Sequence, residues 1–426
     1  MIFKEDFLHF IWRFRLYNST ELFCSSGERL EILNPGLANR HAGPDFSNAK
    51  LKIGGTFWAG NVEIHLRSSD WFAHHHEDDP AYDTIILHVV YEDDALIYRK
   101  DGNKIVSFIL KDLFQPSLLQ TYHQLINSAH SFPCEKQISS IEPVYVNSFL
   151  TRLTTERLQM KAGQIFRKLE LSKGDWAAVF YYFMAGNFGF KVNTVPFELL
   201  ADSLPYPLFA KHKDQPLQIE ALIFGQAGFL NGNYIEDYPL QLHREYTFLK
   251  KKYNLNPVPV SMWKFLRMRP QNFPTVRLAQ FAALITRSHH LFSQILELDL
   301  VSSFQDLFNK LPVHSYWNTH YHFGSITAQK NCQMGISSIN NLIINGVALF
   351  LFAYGKYIND SILTDRALNL MEQLPAEKNA IVQEYESAGI VAGNAFRSQA
   401  LLQLNKNYCT QKKCLNCVIG IKILNR

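Results

Sequence analysis

The chain changes its hydrophobic rhythm once, near Leu113, and that change limits what it can fold into. Before it, apolar residues come in short runs: Arg29–Leu33, Ala49–Ile53, Phe57–Leu66, Thr84–Tyr91 and Lys104–Leu110, separated by Gly, Pro, Asn and Asp. Runs of that length and punctuation are strand signals. Ahead of them, Glu5–Tyr17 sets Phe7, Leu8, Ile11, Trp12 and Leu16 at helical spacing. Beyond Leu113 strand signals nearly vanish. Helical stretches follow instead, at Val146–Leu171, Trp176–Phe188, Leu217–Phe229, Thr275–Phe292 and Ala376–Leu404. The expected fold class is therefore α+β. A small mixed α/β sheet domain occupies 1–115, a connector 116–145, a larger, mostly α-helical domain 146–404, and a basic cysteine-containing tail 405–426.

A chain of 426 residues, 47% hydrophobic and 19% charged, can bury cores of this size. The net charge of +4 and pI near 8.5 permit nucleic-acid binding without demanding it, because binding needs basic residues gathered on one face. The segment Met1–Asp6 has early acidic residues and no apolar core, so it does not read as a signal peptide. The most apolar run, Leu342–Tyr354, is shorter than a bilayer span and contains Asn345; it reads as a buried helix. Six cysteines in so long a chain do not make a disulfide framework. The expectation is a reduced, cytoplasmic protein with no membrane partner.

Two short motifs carry chemistry. Gly43-Pro44-Asp45-Phe46 stands at the start of one probable strand and Val62-Glu63-Ile64-His65 in the next. Strand side chains alternate, so Glu63 and His65 share a face. If the strands pair as a hairpin, Asp45, Glu63 and His65 converge on one divalent cation. Carboxylates suit Mg²⁺ or Mn²⁺, and the histidine is placed to position a water. A histidine-rich stretch follows. Ser68-Ser69-Asp70-Trp71 reads as a helix N-cap, with Asp70 and His74 one helical turn apart; His76 comes next, and His88 lies inside an apolar strand. A zinc or manganese site drawn from His65, His74, His76 and His88 is the competing chemistry. The plainer reading is a turn, a half-buried strand, a solvated loop and, for His88, a hydrogen-bonded core histidine.

Two further features are candidates. Cys409-x4-Cys414-x2-Cys417 lies in a segment with Lys406, Lys412, Lys413, Lys422 and Arg426 and no acidic residue after Glu386. Three thiolates so spaced form most of a tetrahedral metal site, and positive neighbours favour the thiolate. Cys134 is the expected fourth ligand; Cys24, Cys332 or a histidine are alternatives. Spacing leaves zinc and a [4Fe–4S] cluster both open. Arg267, Arg269 and Arg277 surround a Pro-punctuated turn that leads into a helix, an arrangement suited to phosphate contact and hence to nucleic-acid binding. The bland alternative is a structural turn whose arginines pair with nearby carboxylates.

Over residues 5–110 the order Pro-Asp, hairpin, Glu-x-His, helix, strand resembles the PD-(D/E)xK nuclease superfamily. The resemblance implies a restriction-endonuclease-like sheet and metal-dependent phosphodiester cleavage of nucleic acid, DNA in preference to RNA. It also implies Asp45 and Glu63 as metal ligands. His65 falls where that superfamily has lysine, a departure, since imidazole has no permanent charge. One upstream cysteine and three late ones also resemble the iron–sulfur staple of some helicase-associated nucleases. Along its whole length the chain resembles the bacterial domain of unknown function 2851 family. The likeness is carried by Asn34-Pro35-Gly36, the two motifs above, Ser68-Ser69-Asp70-Trp71, Ile86-Leu87-His88-Val89-Val90, Arg269-Pro270-Gln271-Asn272-Phe273-Pro274 and the late cysteines. That resemblance implies no biochemical function. Two other classes stay open: a histidine-ligated zinc hydrolase of another substrate, and a non-enzymatic nucleic-acid- or protein-binding scaffold with a structural cysteine–metal site.

Overall fold

A computed structural model describes residues 3–18, 20–39, 41–288 and 290–426. The chain divides into two compact units: the residues up to Phe149 together with Asn405–Arg426, and Leu150–Leu404.

The first unit opens with α1 (Glu5–Phe14), whose Phe7, Leu8, Phe10, Ile11 and Trp12 are buried and whose first turn carries Glu5 and Asp6, favourable at the helix dipole's positive end. Strands β1 (Leu22–Phe23), β2 (Arg29–Asn34), β3 (Leu37–Ala38), β4 (Phe46–Ile53) and β5 (Thr56–Arg67) then pair antiparallel. Gly54 and Gly55, with φ of 56° and 96°, make the two-residue turn between β4 and β5 that the right-handed strand twist favours. This turn sets the register Ile53↔Thr56 and Phe46↔Val62, with a bulge between Phe46 and Ala49. A short helix α2 (Asp70–Ala73) follows, and β6 (Ile85–Glu92) returns parallel to β5, pairing Glu63 with His88 and His65 with Val90. Strand β7 (Ser107–Ile109) adds parallel to β6. The sheet order is β1-β2-β4-β5-β6-β7, with β3 on β4. Ile85 to Val90 is buried throughout, as expected of a strand covered on both faces.

The stretch expected to be a connector is folded. It forms α3 (Pro116–Ile126), started by a proline whose missing N–H costs nothing there and burying Leu118, Tyr122 and Leu125. The basic segment 405–426 carries the helix Val418–Leu424, which buries Ile419, Gly420, Ile423 and Leu424 and packs on α3.

The second unit is helical apart from a two-stranded hairpin, His320–His322 with Ser325–Ile326, turning at Gly324 (φ 73°). The expected Ala376–Leu404 helix is broken into Ala380–Ser387 and Ala395–Leu404, because Gly389 (φ 93°) and Gly393 (φ 71°) take left-handed backbone between them. The expected Thr275–Phe292 helix runs from Pro274 to Arg287, and its His289 lies outside the described residues. The apolar run extends further than its sequence suggests, to a 22-residue helical segment, Ile336–Tyr357, long and apolar enough to cross a membrane. Most of it is buried inside the unit, in the manner of a core helix. The core around it includes Phe188, Phe197, Phe224, Phe281 and Trp317.

Candidate metal centre

The β4–β5 hairpin brings the two motifs together. The Asp45 backbone N–H donates to Glu63 Oε2 at 3.1 Å, and the Ile64 N–H donates to Asp45 Oδ2 at 3.0 Å. Glu63 and His65 share a face and are buried, with Glu63 Oε1 3.6 Å from His65 Nε2. The neighbouring parallel strand supplies His88, whose Nε2 lies 2.8 Å from His65 Nδ1. The segment after α2 supplies two more imidazoles. His74 caps α2, His75 adopts φ 58°, and His76 follows. His74 Nδ1 then sits 3.1 Å from His65 Nε2, and His76 Nε2 sits 3.2 Å from Glu63 Oε1, with the His76 ring stacked on Tyr82 at 3.8 Å. His75 is exposed.

That segment is pinned at its base. Asp94 accepts from the Ser69 N–H and from the Ser68 and Ser69 hydroxyls, and Ser68 Oγ accepts from the Asp94 and Ala95 N–H groups. Asp70, an expected additional ligand, turns to the local backbone instead, accepting from the Arg67 N–H at 2.9 Å. It lies outside the ligand group.

Burial sets the electrostatics of this group. Burial, reinforced by His88, His76 and His74, holds the His65 imidazole neutral, its pKa lowered to about 2. Burial lowers His88 to about 3, and His76 is lowered for the same reason. Burial and then Asp45 push the Glu63 carboxyl well above the usual carboxylate range. Among the described residues Glu63 pairs with imidazoles alone, never with lysine or arginine. His76 Nε2 and His88 Nδ1 are buried without a well-directed hydrogen bond.

The separations fit an ion. Zinc–ligand bonds near 2.05 Å in a tetrahedron place donor atoms about 3.3 Å apart, against the 3.1, 3.2 and 3.6 Å found here. His65, His74 and His76 each bring one nitrogen within 4.8 Å of the others. A proton on His65 Nδ1, donated to His88, leaves the Nε2 lone pair facing His74 and Glu63, the tautomer a ligand requires. Three imidazoles, with the Glu63 carboxylate beside two of them, suit zinc or manganese better than magnesium, which prefers oxygen.

A second group lies on the far side of Asp45, and sequence reasoning missed it. Glu5 and His9, one turn apart on α1, meet Asp45: His9 Nε2 is 3.2 Å from Asp45 Oδ2 and 3.7 Å from Glu5 Oε1. Burial opposes a charge on His9, but Asp45, Glu5 and Asp6 outweigh it and raise its pKa. Burial pushes Glu5 up to about 7, partly offset by His9. The one signal was the i, i+4 Glu5/His9 pair on one face of α1.

The remaining expected residues divide. Cys134, Cys409, Cys414 and Cys417 fall in the first unit, all buried, while Cys332 is in the second. The Cys134 thiol is pushed up by burial and then by Cys409, Cys417 and Cys414, which places each late thiol within electrostatic reach of Cys134. Lysine does not make Cys414 acidic, as the tail's charge suggests it would. Burial and Cys417 push Cys414 up to about 12, with Lys412 offsetting only part. Arg267 and Arg269 are exposed, but Arg277 is buried, donating to Gln280 Oε1, Asn272 Oδ1 and Ser338 Oγ beneath Phe190. It pairs with no carboxylate among the described residues and offers no surface to a phosphate, so the expected nucleic-acid contact at Arg277 is withdrawn.

The model of a family described as "Protein of unknown function (DUF2851)" matches residues 5–380, and the chain belongs to that family. The match spans every histidine and carboxylate of the centre and stops before Cys409. No curated protein and no solved structure matches the chain.

Proposed function

We propose that this DUF2851 chain is a metal-dependent hydrolase that cleaves phosphodiester bonds in nucleic acid, DNA in preference to RNA. The observation that carries the reading is the position of Glu63. Its Oε1 faces the imidazoles while its Oε2 accepts from Asp45, so one buried carboxylate joins an ion-binding group to a titratable pair. The order of elements supports the phosphodiester assignment. A helix, an antiparallel meander with aspartate entering one strand and glutamate in the next, a helical crossover and a parallel strand is the order on which the PD-(D/E)xK resemblance rests.

In this reading Glu63, His65, His74 and His76 hold a zinc or manganese ion, in place of the Mg²⁺ that the carboxylates alone suggest. The ion, when bound, polarises a phosphoryl oxygen and lowers the pKa of water. His88 fixes the His65 tautomer and ring. Asp45, anchored by the Ile64 N–H, holds His9 through Nε2, which leaves His9 Nδ1 to take a proton from the attacking water, while solvent protonates the leaving oxygen. His65 thus acts as a ligand, and no residue stands in for the lysine charge.

Fluorescent single- and double-stranded DNA and RNA oligonucleotides, incubated with the full chain and Mn²⁺, Zn²⁺ or Mg²⁺, test this. The expected result is Mn²⁺- or Zn²⁺-dependent cleavage, abolished by Glu63→Gln and by Asp45→Asn with the circular dichroism spectrum unchanged. Full cleavage by both variants would overturn it. The imidazole-rich donor set favours a second reading, a zinc hydrolase of another substrate; bound zinc with inert oligonucleotides and turnover of an activated ester selects it. Stoichiometric metal without any hydrolysis selects a scaffold.

A further inference from the structure

Residues Cys409–Cys417 reach the sheet unit from more than two hundred and fifty residues downstream of Cys134, and the chain anchors them around it. Lys412 Nζ, between the first two late cysteines, donates to the Ile126 carbonyl; Arg426 donates to the Ser140 hydroxyl and carbonyl. Those contacts bracket Cys134 from both sides in sequence. The late cysteines stand at three structural corners: Cys409 ends a helical turn, Cys414 starts the short turn Cys414–Asn416, and Cys417 caps the helix Val418–Leu424. That helix sits against the Cys414 turn so closely that a Cβ at Gly420 would collide with the Cys414 carbonyl. All four sulfurs belong to residues no more than 9% exposed, and none of the chain's cysteines forms a disulfide.

Lys412, Arg426 and the packing of Val418–Leu424 on α3 bring the late thiols to the Cys134 segment, where a charge on Cys134 is opposed by the other three. Zinc, or the irons of an iron–sulfur cluster, resolves that opposition: four sulfur–metal bonds form, four thiol protons leave to solvent, and the centre carries net negative charge. The surrounding segment is built for that sign, with Lys406, Lys412, Lys413, Lys422 and Arg426 and no acidic residue. We infer that Cys134, Cys409, Cys414 and Cys417 form a tetrathiolate metal centre that fastens 405–426 onto the sheet unit. Through the Cys414–Asn416 turn, which packs on α1, the same centre braces the helix that carries Glu5 and His9. The inference does not rest on the proposed hydrolase activity.

The test uses the full chain with His74→Ala and His76→Ala, so that the histidine site contributes no metal, and with Cys24→Ser and Cys332→Ser, so that only four thiols remain. Expressed with zinc and iron supplied and purified without oxygen, it should carry either one zinc per chain or iron with matching acid-labile sulfide and visible absorption. Native alkylation by N-ethylmaleimide should then be slow, and stripping the metal should speed it at least tenfold while making 405–426 protease-sensitive. Cys417→Ser should lose the metal. A metal-free chain, still protease-resistant at 405–426 and unprotected by added zinc, would overturn the centre even if Cys417→Ser failed to fold.

Discussion

Glu220 tests the burial argument where no metal is at issue. It sits in the helix Pro216–Gln226, 7% exposed, and accepts from the Tyr238 hydroxyl at 3.0 Å, which in turn accepts from Trp317 Nε1 at 3.3 Å. Burial pushes its carboxyl up from 4.5 to about 7, although Tyr238 favours the charged form. The folded chain therefore holds a proton that the unfolded chain has released. Stability from this group is complete below the unfolded pKa and is lost as pH rises towards about 7. Integrating the proton difference from pH 5 to pH 8 gives a loss of about 2.5 kcal/mol. Glu220→Gln keeps an acceptor for Tyr238 and removes the titration. Urea unfolding followed by tryptophan fluorescence, to which Trp176, Trp263 and Trp317 contribute from the second unit, should therefore show the wild-type chain losing about 2.5 kcal/mol more than the variant over that interval. Glu5 titrates in the same range in the other unit, so only the difference between the two proteins isolates Glu220. Parallel slopes, within about 0.5 kcal/mol, would refute the burial argument here and remove its support at Glu63.

Other outcomes follow from the same contacts. His74→Ala and His76→Ala should each weaken zinc or manganese binding by at least about tenfold in titration calorimetry, with the fold retained. Asp94→Ala, which unpins the segment bearing both histidines, should weaken metal binding about tenfold although Asp94 itself never approaches the ion; unchanged affinity would show that Ser68 and Ser69 hold the segment alone. His9→Ala should leave metal content unaltered and reduce kcat by about 10² or more, the pattern of a lost proton carrier rather than a lost ligand. Gly225→Ala would drive its Cβ into the Tyr246 ring and should destabilise the second unit by about 1–3 kcal/mol in denaturant titration.

Strand positions and the Asp45–Glu63–His65 juxtaposition were legible because both follow from local rules. Gly54-Gly55 dictates a tight hairpin, and a two-residue side-chain period dictates a shared face. The N-cap reading of Ser68-Ser69-Asp70 located α2 but misjudged Asp70, since one short helical turn turned its carboxylate to the Arg67 N–H. Glu5 and His9 were hidden because nothing local ties a helix at residue 5 to a strand at residue 63; only the packing of α1 on β5 does. Arg277 misled for the opposite reason. A helix start beside arginines suits phosphate equally well whether it faces solvent or core, and Phe190, Asn272 and Ser338 decide that by enclosing it. The folded connector and tail escaped because each is a short element whose apolar face has meaning only against the other.

That pairing has a consequence for synthesis. The sheet unit is interrupted in the chain by all of Leu150–Leu404, and its α3 waits for Val418–Leu424. During translation the helical unit can therefore close before the sheet unit is complete. Until residues 405–426 emerge, α3 and the Cys414-facing side of α1 remain uncovered, a surface for chaperones to shield. A ribosome stalled late would hold a folded helical unit and a sheet unit still missing its last elements.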